Sequence, residues 1–141
     1  MAGGAPIFCP LRTAASAQAS AAPATANEVF ALDLEEFESK ITPKTKAFIL
    51  NTPHNPTGKM FTRRELEGIA AIVRKYPHLT VIADEVYEHI VFDDDDNNNN
   101  EGHLSFATIP GMFGQTLTLS SAGKTFSMTG WKVSFSSIQK N

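Results

Sequence analysis

Polar side chains that could do chemistry follow three apolar runs of the sequence. They are the loop 55–58 (Asn-Pro-Thr-Gly), the pair Asp84 and Tyr87, and the pair Ser121 and Lys124. A semi-buried lysine favours its neutral amine, which can attack a carbonyl carbon to give a Schiff base. An acid at the end of an apolar strand is partly desolvated, so it needs a cationic partner or becomes neutral. These residue types suit covalent chemistry at a lysine.

Each of these residues also has a structural interpretation. Asp84 could cap a following helix, Tyr87 could be a half-buried core aromatic, and Lys124 could be a surface charge. Function therefore depends on whether the fold brings the three together.

Two helices are predicted from their first residues. Asp33 with Glu36, and Thr62 with Glu65, have the spacing of a capping box, in which each side chain bonds the other residue's backbone. We expect the first helix to end at Pro43 and the second near Pro77. Their apolar faces are Leu34, Phe37 and Ile41 in the first, and Leu66, Ile69, Ala70 and Val73 in the second.

Three strands are predicted at 46–50, 80–83 and 116–119. The first is a continuous apolar run, typical of a strand covered on both faces. Strand, helix and strand in succession form a βαβ unit, so we expect an α/β fold with a mostly parallel sheet and flanking helices. Ligands in such sheets bind beyond the carboxyl ends of the strands. All three polar groups follow those ends, so the topology predicts that they meet.

Composition limits the other classes of function. A chain of 141 residues, 42% hydrophobic and 19% charged, is typical of one soluble domain. The net charge of −3 lacks the basic footprint of a nucleic-acid-binding protein, and no apolar run reaches the roughly 20 residues of a membrane span. Cys9 is the single cysteine, so neither an intramolecular disulfide nor a multi-cysteine zinc site is possible. Neither nucleic acid nor membrane is an expected partner.

Two further motifs are candidate binding sites, one for calcium and one for phosphate. The acidic run 93–96 could hold calcium, but it lacks the spaced ligands and the glycine of an EF-hand, so a solvated loop and no metal are predicted. The segment 122–125 (Ala-Gly-Lys-Thr) is similar to the end of a phosphate-binding P-loop. That motif requires glycine at position 118, where this chain has Thr118.

Three segments in order resemble one enzyme family. They are residues 50–59 (LNTPHNPTGK), 84–87 (DEVY) and 120–133 (SSAGKTFSMTGWKV). Together they resemble the class I aminotransferases, fold-type-I enzymes that use pyridoxal 5'-phosphate (PLP), and within them kynurenine aminotransferases, also called cysteine-conjugate β-lyases. The resemblance runs from Met1 to about Val133.

The resemblance implies a role for each candidate residue. Lys124 would bind PLP covalently and later move the substrate's proton, and Asp84 would keep the pyridine nitrogen protonated. Asn55 and Tyr87 would hydrogen-bond the ring oxygen of the cofactor. The phosphate would be bound by the hydroxyl of Ser121 and the charge of Lys132.

The resemblance also implies how the chain is organised. Residues 1–141 correspond to part of a PLP-binding large domain, with an Ala-rich insertion at 13–28, an Asp/Asn low-complexity loop at 93–100 and a divergent tail at 134–141. The family's small domain, ring-stacking aromatic and carboxylate-clamping arginine lie outside this sequence, so we expect truncation at both ends. Family members are usually homodimers.

The expected activity is transfer of an amino group from a kynurenine-like or glutamine-like amino acid to a 2-oxo acid. The alternatives are a PLP-dependent C–S β-lyase and a catalytically inactive fragment. A cytoplasmic location is expected. The alternative is mitochondrial, because residues 1–27 are rich in Ala, Ser and Thr and contain no acid.

Overall fold

The computed structural model describes residues 3–13, 29–91 and 102–137 and has an α/β fold, as predicted. Three 3₁₀ turns occupy Phe106–Thr108, Phe113–Gln115 and Thr129–Trp131. The helices and strands are β1 (Arg12–Thr13), β2 (Phe30–Ala31), α1 (Leu34–Ser39), β3 (Ala47–Asn51), α2 (Arg63–Val73), β4 (Thr80–Asp84), β5 (Thr116–Ser120), α3 (Ala122–Thr125) and β6 (Phe135–Ser137).

The main sheet has the strand order β3-β4-β5-β6. The first three strands are parallel, and β6 pairs antiparallel with β5. Strands β1 and β2 form a separate antiparallel pair. The parallel register places Asn51, Asp84 and Leu119 in one row at the carboxyl ends of β3, β4 and β5. The predicted mostly parallel sheet is confirmed.

Helix α2 begins with the complete capping box that was predicted. Thr62 Oγ1 accepts from the Glu65 amide, and the Glu65 carboxylate accepts from the Thr62 amide at 2.8 Å. The apolar stripe of the helix forms one buried cluster with Val81 and Ala83 of β4. The helix ends at Val73, earlier than the predicted Pro77, and a tight turn bonds Tyr76 N to Val73 O.

Helix α1 has only half of its predicted capping box. The Asp33 side chain accepts from the Glu36 amide at 2.9 Å. The Glu36 carboxylate instead contacts Lys40 and Arg12, with Arg12 Nε at 3.0 Å from Oε2. Hydrogen bonds from Lys40 first and then Arg12 lower the pKa of Glu36. The Glu36 carboxylate therefore bonds these two basic side chains and not the Asp33 backbone amide, the bond that would complete the capping box.

The two faces of the main sheet are not equally covered. Leu50, Val81 and Ala83 are buried on the side of α2, whereas Ile49 on the opposite face of β3 is 67% exposed. The prediction that this strand is covered on both faces is wrong for the part of the chain that the structure describes. An apolar run does not record which of its faces has a neighbour.

Some predicted segments lie outside the described residues. These are residues 14–28 of the Ala-rich insertion, all of the 93–100 loop and residues 138–141 of the tail; β6 lies within the rest of that tail. Within the described ranges, no helix is long and apolar enough to cross a bilayer. Nor do three His, Cys, Asp or Glu side chains gather there as a metal site requires.

Candidate active site

The site is built at the carboxyl edge of the three parallel strands. At this edge the Asp84 carbonyl accepts from Asn51 Nδ2 at 2.9 Å and from the Thr52 amide at 3.1 Å. These bonds fix the chain leaving β3 to the end of β4. Asn51 is a site residue with no role predicted from the sequence, although a polar residue that ends an apolar strand is a recognisable signal.

The Asp84 carboxylate is half-buried at this edge. Side chains alternate along a strand, so Asp84 shares the less covered face with Ile82, while Val81 and Ala83 point into the core. In the described part of the chain, no basic side chain forms an ion pair with Asp84. A half-buried acid of this kind suits a cationic ligand group.

The loop after β3 brings Asn55 to Tyr87. Asn55 Nδ2 donates to Tyr87 Oη at 3.1 Å, and Asn51 Oδ1 holds the Asn55 amide at 2.8 Å. Gly58 adopts φ +72°, a left-handed conformation that favours glycine, and its amide bonds His54 O at 2.7 Å. The loop thus places the Asn55 side chain against the Tyr87 hydroxyl.

His54 lies inside the same loop and packs partly away from water. Its Nδ1 is 2.8 Å from Thr57 Oγ1, and burial lowers the pKa of its imidazole. The neutral ring is therefore favoured in the folded loop.

Lys124 lies beside Tyr87 in this group. Its Nζ lies 5.7 Å from the centre of the Tyr87 ring, and both residues are half-buried. The structure therefore brings Asn55, Tyr87 and Lys124 together, as the topology predicted. Asp84 belongs to the same strand edge, three residues before Tyr87.

A fully buried lysine, Lys59, differs from the half-buried Lys124 in its contacts. The Lys59 side chain is fully buried, and its Nζ forms an ion pair with Glu65 Oε1 at 2.8 Å. An ammonium in a buried ion pair is held in place by its carboxylate partner. Among the described residues Lys124 has no carboxylate partner, so its amine, unlike that of Lys59, is not held in an ion pair.

Ser121 and Lys132 are linked through the carbonyl of Val133, which directly follows Lys132. Ser121 Oγ caps α3 by accepting from the Lys124 amide at 3.3 Å. The carbonyl of Val133 accepts from the Gly123 amide at 3.3 Å and from Ser121 Oγ at 3.5 Å. Lys132 precedes that carbonyl, with φ +54°. The Ser121 hydroxyl and the exposed Lys132 are thus brought to one turn, and a hydroxyl donor with a positive charge suits an anion.

A buried acid that the sequence did not reveal follows Asp84. Glu85 is fully buried, and its Oε1 accepts from Ser105 Oγ at 3.1 Å and from the Phe106 amide at 2.9 Å. His103 Nε2 lies 3.2 Å from Oε2, within ion-pair range but without hydrogen-bond alignment. Glu85 thus ties the segment that begins at residue 102 to the end of β4. Acids are usually exposed, so sequence alone gives no signal for this one.

Comparison with protein families gives a match over nearly the whole chain. The family model for aminotransferase class I and II matches residues 10–141. The matched residues include every candidate site residue named above.

Individual relatives agree with that match. The chain is 48% identical over 135 residues to kynurenine–oxoglutarate transaminase of Dictyostelium discoideum, covering 94% of this chain and 30% of the relative. It is 47% identical over 136 residues to human kynurenine–oxoglutarate transaminase 3, covering 96% and 28%. A PLP-bound protein from Clostridium difficile 630 superposes with a TM-score of 0.73 at 26% identity, covering 95% of this chain and 30% of that one. The chain thus spans less than a third of each protein.

Proposed function

From the premise that this chain belongs to the class I and II aminotransferases, we propose that it is part of the cofactor-binding domain of a PLP-dependent transaminase. The reaction would move an amino group from an amino acid to a 2-oxo acid. One observation carries the proposal: Lys124, Tyr87 and Asn55 lie together at the strand edge that Asp84 ends.

The chemical groups of PLP fit the donors at this edge. PLP has an aldehyde, a ring oxygen, a basic pyridine nitrogen and a phosphate. When bound, it supplies an electron-accepting ring that stabilises negative charge at the α-carbon of the substrate. The candidates that match these groups are an amine without an acidic partner, two hydrogen-bonding side chains, a half-buried acid and a hydroxyl-and-ammonium turn.

Lys124 provides the reactive amine. Its Nζ would hold the cofactor covalently at the aldehyde carbon, with loss of water, and the same amine would serve as the base that moves the substrate's α-proton. The position over the Tyr87 ring limits where that amine can travel.

Asp84, Asn55 and Tyr87 set the electronic state of the site. The Asp84 carboxylate holds a proton on the pyridine nitrogen, because a half-buried acid is stabilised by a cationic partner. The Tyr87 hydroxyl, oriented by Asn55 Nδ2 at 3.1 Å, donates to the ring oxygen. Both contacts make the carbon bound by Lys124 a better electrophile.

Ser121 and Lys132 would hold the phosphate. Ser121 Oγ would donate to a phosphate oxygen and Lys132 would contribute a positive charge, so the two residues would anchor the cofactor through its phosphate.

The substrates and partners of the whole protein are part of the proposal. Kynurenine as donor and a 2-oxo acid as acceptor are supported by the names of the relatives at 48% and 47% identity, and glutamine is proposed as a further donor. We also propose a second copy of the complete protein as the partner, and a cytoplasmic location.

A chimaera tests this function. The segment of the Dictyostelium relative that aligns with this chain is replaced by the chain, and transamination between kynurenine and 2-oxoglutarate is measured. We expect turnover that Lys124→Ala abolishes and that Lys44→Ala, a change at an exposed lysine, leaves intact. A soluble chimaera that binds PLP covalently but transfers no amino group from kynurenine or glutamine would contradict the proposed substrates. Failure to bind PLP covalently would contradict the proposed cofactor site.

A further inference from the structure

A short hydrogen bond crosses the site between two residues that have no role in the chemistry proposed above. Ser120 Oγ donates to Glu88 Oε1 at 2.6 Å. This separation is typical of a hydroxyl bonded to a carboxylate, a class of bond that is shorter and stronger than a neutral one. Ser120 is buried and the Glu88 side chain is 24% exposed, so water competes only partly for the contact.

Glu88 and Ser120 are close along the chain to the candidate site residues Tyr87 and Lys124. Glu88 directly follows Tyr87 in the turn after β4, where its amide bonds Glu85 O at 2.9 Å. Ser120 ends β5 and directly precedes Ser121, whose hydroxyl caps α3 through the amide of Lys124. The Glu88 hydrogen bond therefore links the backbone that carries Tyr87 to the backbone that carries Lys124.

Little else joins these two segments. The ladder between β4 and β5 ends with the pair Asp84 and Leu119. Beyond it, the described residues of the 85–91 turn form two hydrogen bonds with 119–134. One is backbone, from Glu85 N to Leu119 O at 3.0 Å, and the other is the bond from Ser120 to Glu88. The second is the one closer along the chain to both Tyr87 and Lys124.

We infer that Glu88 is a positioning residue for Lys124: its carboxylate holds Ser120 and thereby keeps the Lys124 amine over the Tyr87 ring. This inference rests on the proposed function, because it concerns how the amine is presented to PLP. His89 Nε2 lies 3.8 Å from the same Glu88 oxygen and its side chain is 62% exposed. The contact between His89 and Glu88 lies on the solvent side, so it does not connect the segment that carries Tyr87 to the segment that carries Lys124.

The test uses the full 141-residue chain. The variants are Glu88→Ala, Ser120→Ala, the two combined, and Glu88→Gln. The control is Glu38→Gln, because Glu38 also forms a side-chain contact, with Lys75, but on the surface. PLP is added, adducts are trapped with borohydride, and the fraction on Lys124 is measured by peptide mass spectrometry. We expect each alanine change to lower that fraction about tenfold, as the loss of one hydrogen bond to a charged group implies. The double variant should lose no more than either single one, because both act through one bond. Glu88→Gln keeps an acceptor and should stay near the unsubstituted chain.

A second readout needs no cofactor. In the chain alone, the acetylation rate of Lys124 relative to Lys132 should rise in the two alanine variants, since a freed amine leaves the ring. General unfolding would also expose Lys59, which is fully buried, so a rise at Lys124 without a rise at Lys59 is a local change. Ser120→Ala removes a hydroxyl and little volume, so it answers the question even where Glu88→Ala fails to fold.

The outcomes separate the inference from the function on which it rests. Trapping on Lys124 that is unchanged in both alanine variants, or additive losses in the double variant, would overturn the role of Glu88 and leave the proposed function standing. The absence of any adduct on Lys124 in the unsubstituted chain would overturn the proposed function, and the inference with it.

Discussion

On one face of the four-stranded sheet, Leu66 of α2 is fully buried in a cluster with Val81 and Ala83; on the other face, Ile49 is 67% exposed. The second face ends in a polar row, where Asn51 and Asp84 pair across β3 and β4. Burial of apolar area is the main source of stability, so the covered face holds the fold together. The less covered face carries the acid proposed to act on the cofactor. Substitutions on the covered face should therefore lower stability. Substitutions in the polar row of the other face should lower turnover and leave stability nearly unchanged.

The largest expected effect is on the covered face. Leu66→Ala should lower the free energy of unfolding by about 2–5 kcal/mol, because it removes buried methyl groups and leaves a cavity. The matched change Ile49→Ala should cost about 0.5 kcal/mol or less, as surface substitutions usually do. Urea unfolding of both variants measures the difference. Equal losses would mean that the second face is covered in solution.

The next effect is on the chemistry of the other face. In the chimaera, Asp84→Asn should reduce turnover by about 10²-fold or more, the scale of losing one electrostatic contact to the reacting group. A neutral amide cannot keep the pyridine nitrogen protonated, although PLP should still be trapped on Lys124. The free energy of unfolding should change little. Turnover within a few fold of the unsubstituted chimaera would remove Asp84 from its role.

A smaller effect separates the two capped helices. Thr62→Ala breaks the complete capping box of α2 and should cost about 1 kcal/mol. Asp33→Ala breaks the half box of α1, where Glu36 already bonds Arg12 and Lys40, and should cost about 0.5 kcal/mol. Urea midpoints of the two variants make the comparison. A larger loss from Asp33→Ala would contradict the view that α2 is the helix that holds the fold.

The smallest effect concerns pH and the loop beside the polar row. Burial lowers the pKa of His54 in the folded chain below its ordinary value near 6.5. The unfolded chain then binds the proton more readily than the folded chain. The contribution of His54 to the free energy of unfolding is therefore complete above pH 6.5 and is lost as the pH falls below it. The urea midpoint should therefore fall less between pH 7.5 and 5 in His54→Gln than in the unsubstituted chain. His78→Gln, at an exposed histidine, is the control, and identical pH dependence in all three chains would exclude His54 as a contributor.

Much of the fold could be predicted because its signals are local. The complete cap at Thr62 and the apolar stripe of α2 are set by residues three and four apart, and both were confirmed. The strand at 46–50 showed the limit of such reasoning. Its run of apolar residues contains no information about whether Ile49 has a covering neighbour.

Some features of the site could likewise be predicted from the sequence, and others could not. Asp84, Tyr87 and Lys124 follow strand ends, so topology alone predicts that they meet. Their roles came from the resemblance, and they remain proposals. The contacts of Glu85 and Glu88 could not be predicted, because their partners are 20 and 32 residues away and depend on how the turns pack.

The location of the covalent bond to PLP tests the central claim most directly. The purified 141-residue chain is mixed with PLP, reduced with borohydride, digested and mapped by tandem mass spectrometry. We expect the added mass on Lys124, and its loss in Lys124→Ala. Mass found instead on Lys132 or Lys59, or spread evenly over the lysines, would contradict the assignment of Lys124 as the cofactor-binding residue.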